Sequence, residues 1–349
     1  MAKLCPWIPL VFRCRSSPSG LRHFIHSTDK TMQTIGNVWL WGGFGAVVII
    51  ALLVDLVLMR HGGPHKVTFK EALWWSVGWV ALALAFNAGL WYYLNETAGQ
   101  VVANKVGLEF LTGYLVEKAL AVDNIFVFLM IMGYFAVPEE QRQKVLIIGI
   151  LGAIVLRTIM IFAGSVLLTK FHWLLYVFGA FLLFTGWKMW FSAGQEPDLE
   201  TNPALRWMRK HLRLLPDYAG NALSVMRDGK RWYTPLFVVL ILIAVTDVIF
   251  AVDSIPAIFA ITTDPFIVLT SNVFAVLGLR AMFFLLAGMA DRFHLLPYGL
   301  ALVLAFIGIK MMLIDIFKIP TPISLGVVAV IIAATVVLSL KNPPKTGDA

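Results

Sequence analysis

The sequence predicts an all-α membrane protein with nine transmembrane helices, six of which form two inverted three-helix repeats. Three observations carry this. Of the 349 residues, 59% are hydrophobic and only 14% are charged, where a soluble domain carries about 25% charged residues, and the mean hydropathy is +0.82. Nine apolar stretches each have about the length that a hydrocarbon core of roughly 30 Å asks of a helix. Finally, one half of the apolar region echoes the other.

The formal charge of +8 does not call for nucleic acid, because in a helical membrane protein a basic excess collects in the loops of one side. Both cysteines, Cys5 and Cys14, precede the first apolar stretch. That excludes a disulfide scaffold and a Cys-x-x-Cys pair in the membrane core. No catalytic residues stand out, and no enzyme activity is expected.

In chain order, residues 1–31 carry Arg, Ser and Pro with Asp29 as the only acid. The stretch superficially fits a transit peptide and is expected to be an extension outside the fold, with Met32 opening the folded chain. Spans are expected at about 39–59, 72–94, 108–135, 145–168, 171–193, 234–260, 266–290, 295–316 and 320–340. Fifteen Lys and Arg, among them Lys70, Arg142, Arg206, Arg231 and Lys341, fall in the connections of one side; Lys105, Lys170 and Lys318 fall on the other. The first side is therefore the expected cytoplasmic one, with the C-terminus inside and the N-terminus outside. The connection 194–233 reads as a linker, given Pro197, Pro203, Pro216 and Gly220, with an amphipathic piece around Leu205–Leu215 resting on the membrane surface.

The repeat is visible residue by residue. Ala121-Val122-Asp123 recurs as Ala251-Val252-Asp253, Leu156-Arg157 as Leu279-Arg280, and Tyr176, Phe184, Gly186 and Lys188-Met189 as Tyr298, Phe306, Gly308 and Lys310-Met311. Since three is odd, the second unit enters the membrane from the opposite side to the first. The expected organisation is two peripheral helices (32–107), repeat A (108–193), the linker (194–233), repeat B (234–316) and a last helix with a short tail (317–349). Inverted repeats are a common design of secondary transporters, whose substrate site lies near the midplane where the repeats meet.

Carboxylates are found there. Glu117, Asp123, Asp247 and Asp253 lie inside apolar spans, and four unpaired acids at bilayer depth would cost roughly 10–14 kcal/mol on insertion scales. On a helix Glu117 and Asn124 share a face, as do Asp247 and Ser254, while Asp123 and Asp253 are turned about 120° away. Carboxylate, carboxamide and hydroxyl are all hard oxygen donors, which suit Mg, Ca or Mn; zinc or copper would call for His or Cys. His172 and His294 start helices and read as interfacial residues. Arg157 and Arg280 are expected to neutralise two of the acids, with Asp55 in the first span as a further acid and Lys118 free to snorkel or to pair with Glu117. Pro256 leaves the carbonyl of Val252 without its N–H, so the helix is expected either to break beside Asp253 or to tolerate a kink there with water or a neighbouring hydroxyl filling in.

Several long stretches, GYLVEKALAVDNIFVF from Gly113, GAIVLRTIMIF from Gly152, FGAFLLFTGWKM from Phe178 and DVIFAVDSIPAIFAITTDPFIVLTSN from Asp247, resemble the TerC family, and within it the Alx-like branch. WGGF at Trp41 and GLRAMFFLLAG at Gly278 extend the resemblance over nearly all of 32–320. It implies a bacterial inner-membrane protein of LysE-superfamily type, linked to manganese export, tellurium resistance and the alkaline-pH response, with an older label of redox modulator. The implied ion residues fall on Glu117, Asp123, Asp247 and Asp253. There is one departure: the family usually has a Glu three residues before Asp247, where this chain has Ala244.

The leading functional expectation is export of a divalent cation, most of all Mn²⁺, with protons as counter-ion and the lipid bilayer as partner; no cofactor is permanently bound. The alternatives are a stress-response, redox-modulator or tellurium-resistance protein without transport, or a membrane assembly scaffold acting through the basic loop.

Overall fold

The computed structural model describes residues 34–62, 68–171, 173–192, 202–220, 222–227, 229–287, 295–317 and 319–341, with backbone alone for 56–62, Asp123 and Ser192. The elements run α1 (Val38–Gly62), α2 (Phe69–Ala98), α3 (Gln100–Tyr134), α4 (Glu139–Lys170), α5 (Leu174–Ser192), α6 (Pro203–His211), β1 (Ser224–Arg227), β2 (Lys230–Tyr233), α7 (Pro235–Phe259), α8 (Pro265–Leu277), α9 (Leu279–Ala287), α10 (Leu296–Met312) and α11 (Thr321–Lys341). The extension 1–31, His172 and His294 lie outside the described residues.

Six helices are long and apolar enough to cross a membrane, and α8 with α9, bent by 40°, would make a seventh as one broken span. That is fewer than the nine expected. The shortfall has two physical sources: Lys105, Glu109, Glu117, Lys118 and Asp123 interrupt the apolar run of α3 although it is 35 residues long, and α10 has only 17 residues. The outward faces are nonetheless apolar, with Trp187 at 68% and Val330 at 68% exposure. Surface of this kind needs lipid to cover it, so the chain is a multi-pass integral membrane protein.

Helix starts follow their side chains. Thr68 accepts from the Glu71 N–H, Asn202 from Ala204 and Leu205, and Asp264 from Phe266, each satisfying N–H groups that a first turn leaves unpaired. Pro203, Pro235 and Pro265 occupy first positions, where a missing N–H does no harm. Asp264 also ties the N-terminal segment down, accepting from Thr34 Oγ1 at 2.8 Å and from the Ile35 N–H at 2.7 Å.

The region 202–233 carries the short amphipathic piece expected in the linker and adds a hairpin to it. Pro203–His211 is helical and Ser224–Arg227 pairs with Lys230–Tyr233 as an antiparallel hairpin, turning at Gly229 with φ 69°. The apolar residues of α6, Leu205 and Met208, are buried in a core cluster with Leu236, Val239 and Ile243 of α7. They are thus packed on protein, and only Trp207, at 57%, is left to meet a membrane surface. Gln141 donates to the Gly220 carbonyl and Tyr218 to that of Phe135, which fastens the region to the ends of α3 and α4.

The helix pairs α5 on α10, α3 on α8, α4 on α7 and α3 on α7 make the body of the fold. At the first of these the backbones nearly touch. A Cβ on Gly308 would lie 2.9 Å from the Gly179 carbonyl oxygen and 3.1 Å from the Leu183 nitrogen; one on Gly186 would lie 2.9 Å from the Ala301 oxygen and 3.2 Å from the Ala305 nitrogen. Gly179 faces Gly308 and Gly186 faces Ala301, so α5 and α10 run antiparallel. Without a hydrophobic drive between helices in lipid, small residues that allow this approach are what hold such pairs together. Gly308→Val should lower stability by about 1–3 kcal/mol, read as a drop in melting temperature in detergent. Gly152→Val, whose Cβ would meet nothing within 4 Å, should melt close to wild type.

Candidate ion site

Close packing of α3, α4, α7 and α8 brings four polar side chains around one guanidinium. Arg157 of α4 is 1% exposed and Glu117 of α3 is 0% exposed, so neither charge has water to solvate it. Arg157 Nη1 forms an ion pair with Glu117 Oε1, and Nη2 lies 3.5 Å from Asp247 Oδ1 on α7. Nη1 also donates to Asn272 Oδ1 on α8 at 3.2 Å and to Ser254 Oγ on α7 at 3.5 Å. Asp247 and Ser254 share a buried face because seven residues are nearly two helical turns.

The pairing is incomplete. Among the described residues, Glu117 Oε2 and Asp247 Oδ2 receive no hydrogen bond, and Arg157 Nε and Asn272 Nδ2 donate none. Two carboxylates against one guanidinium leave a net charge of about −1 in a low-dielectric pocket.

The other sequence candidates are dispersed. Asp253 is half-buried and turned toward α5, where Thr185 Oγ1 donates to it at 3.2 Å and Lys188 acts on it electrostatically. Asn124 is buried on α3, and the side chain of Asp123 lies outside the described residues. Arg280 does not neutralise one of the four acids as expected: it pairs with Asp55 of α1 at 2.7 Å, because α9, which carries it, turns away at the bend after α8. Pro256 does not end its helix; α7 continues to Phe259 and closes with an N–H bond from Ala260 to the Pro256 carbonyl. So late in a helix the proline removes one donor and leaves the turn otherwise intact. Lys118 neither snorkels nor pairs with Glu117. Its Nζ donates to the Ala275 carbonyl at 3.2 Å, in the last turn of α8, where a cation meets the negative end of the helix dipole. A Cβ on Gly278 would lie 2.6 Å from that Nζ, so a larger residue at the bend would displace the Lys118 ammonium.

Asn272 was not singled out in the sequence, although a carboxamide between Ser271 and Val273 inside an apolar span was the available signal. No three His, Cys, Asp or Glu side chains gather as a ready metal-ligand group among the described residues.

A multi-span helical membrane protein with a buried charge cluster drawn from α3, α4, α7 and α8 is the class defined so far. The chain belongs to the integral membrane protein TerC family, which matches residues 102–346. It is 56% identical over 308 residues to proteins of Salmonella typhi and Escherichia coli K12 named "Putative membrane-bound redox modulator Alx", covering 88% of this chain and 96% of each relative. It is 47% identical over 311 residues to an uncharacterised membrane protein of Myxococcus xanthus, covering 89% of this chain and 95% of that one. No solved structure matches it.

Removing one partner of a buried pair strands the other charge and costs about 3–5 kcal/mol, whereas a partly exposed pair contributes about 0–1 kcal/mol. Arg157→Gln, which strands two buried carboxylates, should therefore lower the melting temperature of the purified protein well below that of Asp253→Asn. Equal losses in the two variants would contradict this account of the cluster.

Proposed function

We propose that the protein is a secondary transporter that exports a hard divalent cation, manganese foremost, across the bacterial inner membrane. The observation that carries this reading is the pair Glu117 and Asp247. They occupy corresponding positions six residues before the aspartates of the two Ala-Val-Asp motifs, are buried on facing helices, and each retains an oxygen without a partner among the described residues. A carboxylate inside a membrane is expensive and marks an ion or proton path by default. The oxygen chemistry of the surrounding groups suits Mn²⁺ better than thiophilic metals.

In this reading α3 and α10 also cross the bilayer, which gives nine spans and two inverted repeats, α3–α5 and α7–α10. Support comes from the packing. Under the sequence repeat Gly179 corresponds to Ala301, Leu183 to Ala305 and Gly186 to Gly308, and the close contacts between α5 and α10 map onto one another when the repeats are exchanged. The pairs α3 on α8 and α4 on α7 exchange in the same way. Transport then proceeds by one unit rocking against the other around a midplane site, with protons exchanging on the same carboxylates and the basic loop 202–233 in the cytoplasm. Asp123 and Asp253 contribute along the path.

The redox-modulator name belongs to the relatives, and for this chain that reading draws on less: its two thiols are Cys5 and Cys14, both before the first span. A scaffold acting through the basic loop is the remaining reading. Under manganese load, cells carrying Asp247→Asn or Asp123→Asn should accumulate severalfold more manganese than wild type, measured by elemental mass spectrometry. Equal manganese contents would sink the proposal, and a phenotype lost on deleting 203–233 but kept with both acids neutralised would point to the scaffold.

A further inference from the structure

Arg157 is a cation held by its own chain where carboxylates of two helices meet. All four groups it touches are oxygen donors: the Glu117 and Asp247 carboxylates, the Ser254 hydroxyl and the Asn272 carboxamide oxygen. These come from α3, α7 and α8 and surround one point, with hard-oxygen chemistry of the kind that a dehydrated Mg²⁺, Ca²⁺ or Mn²⁺ takes. The guanidinium fills the site without completing it. A side chain serving only to lock helices would be most stable as a two-pronged fork on one carboxylate, whereas here the two prongs go to different acids, Nε is unused and each acid keeps an oxygen free. The corresponding arginine of the second repeat, Arg280, has no share in the cluster and is held by Asp55.

We propose that Arg157 is a resident counter-cation that competes with the transported ion for these same four oxygen donors. The ion enters as the guanidinium leaves, and the return of the guanidinium expels the ion. With Arg157 in place the cluster carries about one net negative charge. With Arg157 withdrawn it carries two, which one divalent ion neutralises. The two cations cannot share the site, since a like charge a few ångströms away at an effective dielectric of about 20 weakens binding by on the order of a hundredfold or more. Arg157 is on this account a positioning residue for release.

The inference rests on the transport reading, and one experiment separates the two. Purified full-length protein is titrated with Mn²⁺, free ion being followed by electron paramagnetic resonance, and reconstituted in liposomes for Mn²⁺ flux. Arg157→Met, similar in volume but uncharged, should bind Mn²⁺ at least about tenfold more tightly than wild type while its flux falls by a similar factor. Where Arg157→Met does not give monodisperse protein, Arg157→Lys is the readout: a compact ammonium cannot bridge both acids, so affinity should rise severalfold with flux reduced. Wild-type flux accompanied by unchanged or weaker binding in the variant overturns the inference and leaves Arg157 as helix cement. No flux and no binding in wild type removes the transport reading with it.

Discussion

A guanidinium with no water around it needs anions at contact distance, and in this protein that need dictates where four helices stand. Arg157 rests buried with Glu117 and Asp247 beside it, which places α3 and α7 next to each other with α4 across them. Asn272 then brings in α8. Arg157, Glu117 and Asp247 are all buried, with the core residues Ile161, Ala251 and Ile255 near them along the same helices, and dryness is what makes each ion pair both strong and hard to leave incomplete. The unpaired oxygens of the cluster are conspicuous for that reason: buried polar groups are nearly always satisfied, and an exception calls for an explanation in the protein's chemistry.

The same rule governs a second cation, one residue further along α3. Lys118 is adjacent to Glu117 in sequence but points to another helix, where it meets the carbonyl of Ala275 at the end of α8. That contact needs α8 to stop, and it stops at Gly278, whose ψ of 2° is incompatible with a continued α-helix. The 40° bend that results directs Arg280 to Asp55 and away from the cluster. The halves that match in sequence are thus asymmetric: the first repeat sends its arginine to Glu117 and Asp247, and the second sends its arginine to Asp55 of α1. Meanwhile α5 and α10 meet through glycine and alanine, with no charged side chain needed between them.

Much of this was legible in the sequence, and the limits of legibility are physical. Apolar length located the helices because a bilayer sets it, and the burial of Glu117, Asp247, Ser254 and Arg157 followed from polar residues lying where only a partner could stabilise them. Periodicity put Asp253 on a different face from Asp247, but it did not say what lay opposite, and Thr185 and Lys188 come from another helix, Thr185 being 68 residues away in the chain. Arg280 was misjudged because its partner depends on a bend at Gly278 that apolar length does not reveal. The hairpin at 224–233 is short, basic and built around Gly229, and its alternation is too brief to distinguish from a loop. Leu205 and Met208 read as a membrane-facing stripe because an amphipathic helix looks the same whether lipid or protein covers it.

Ala244 gives the charge balance its meaning. The resemblance to the TerC family implies a glutamate at that place, one turn before Asp247 and close enough on the helix to join the same cluster. A third carboxylate beside Arg157 would leave about two net negative charges with the guanidinium in place, and a divalent ion would then have little reason to displace it. With alanine, half-buried at 244, the resting cluster holds about one, and the full pair of charges becomes available only when the arginine moves. On the proposed transport reading, fewer acids here make occupancy by the ion and occupancy by Arg157 more nearly exclusive, which is the condition for a bound ion to be released again.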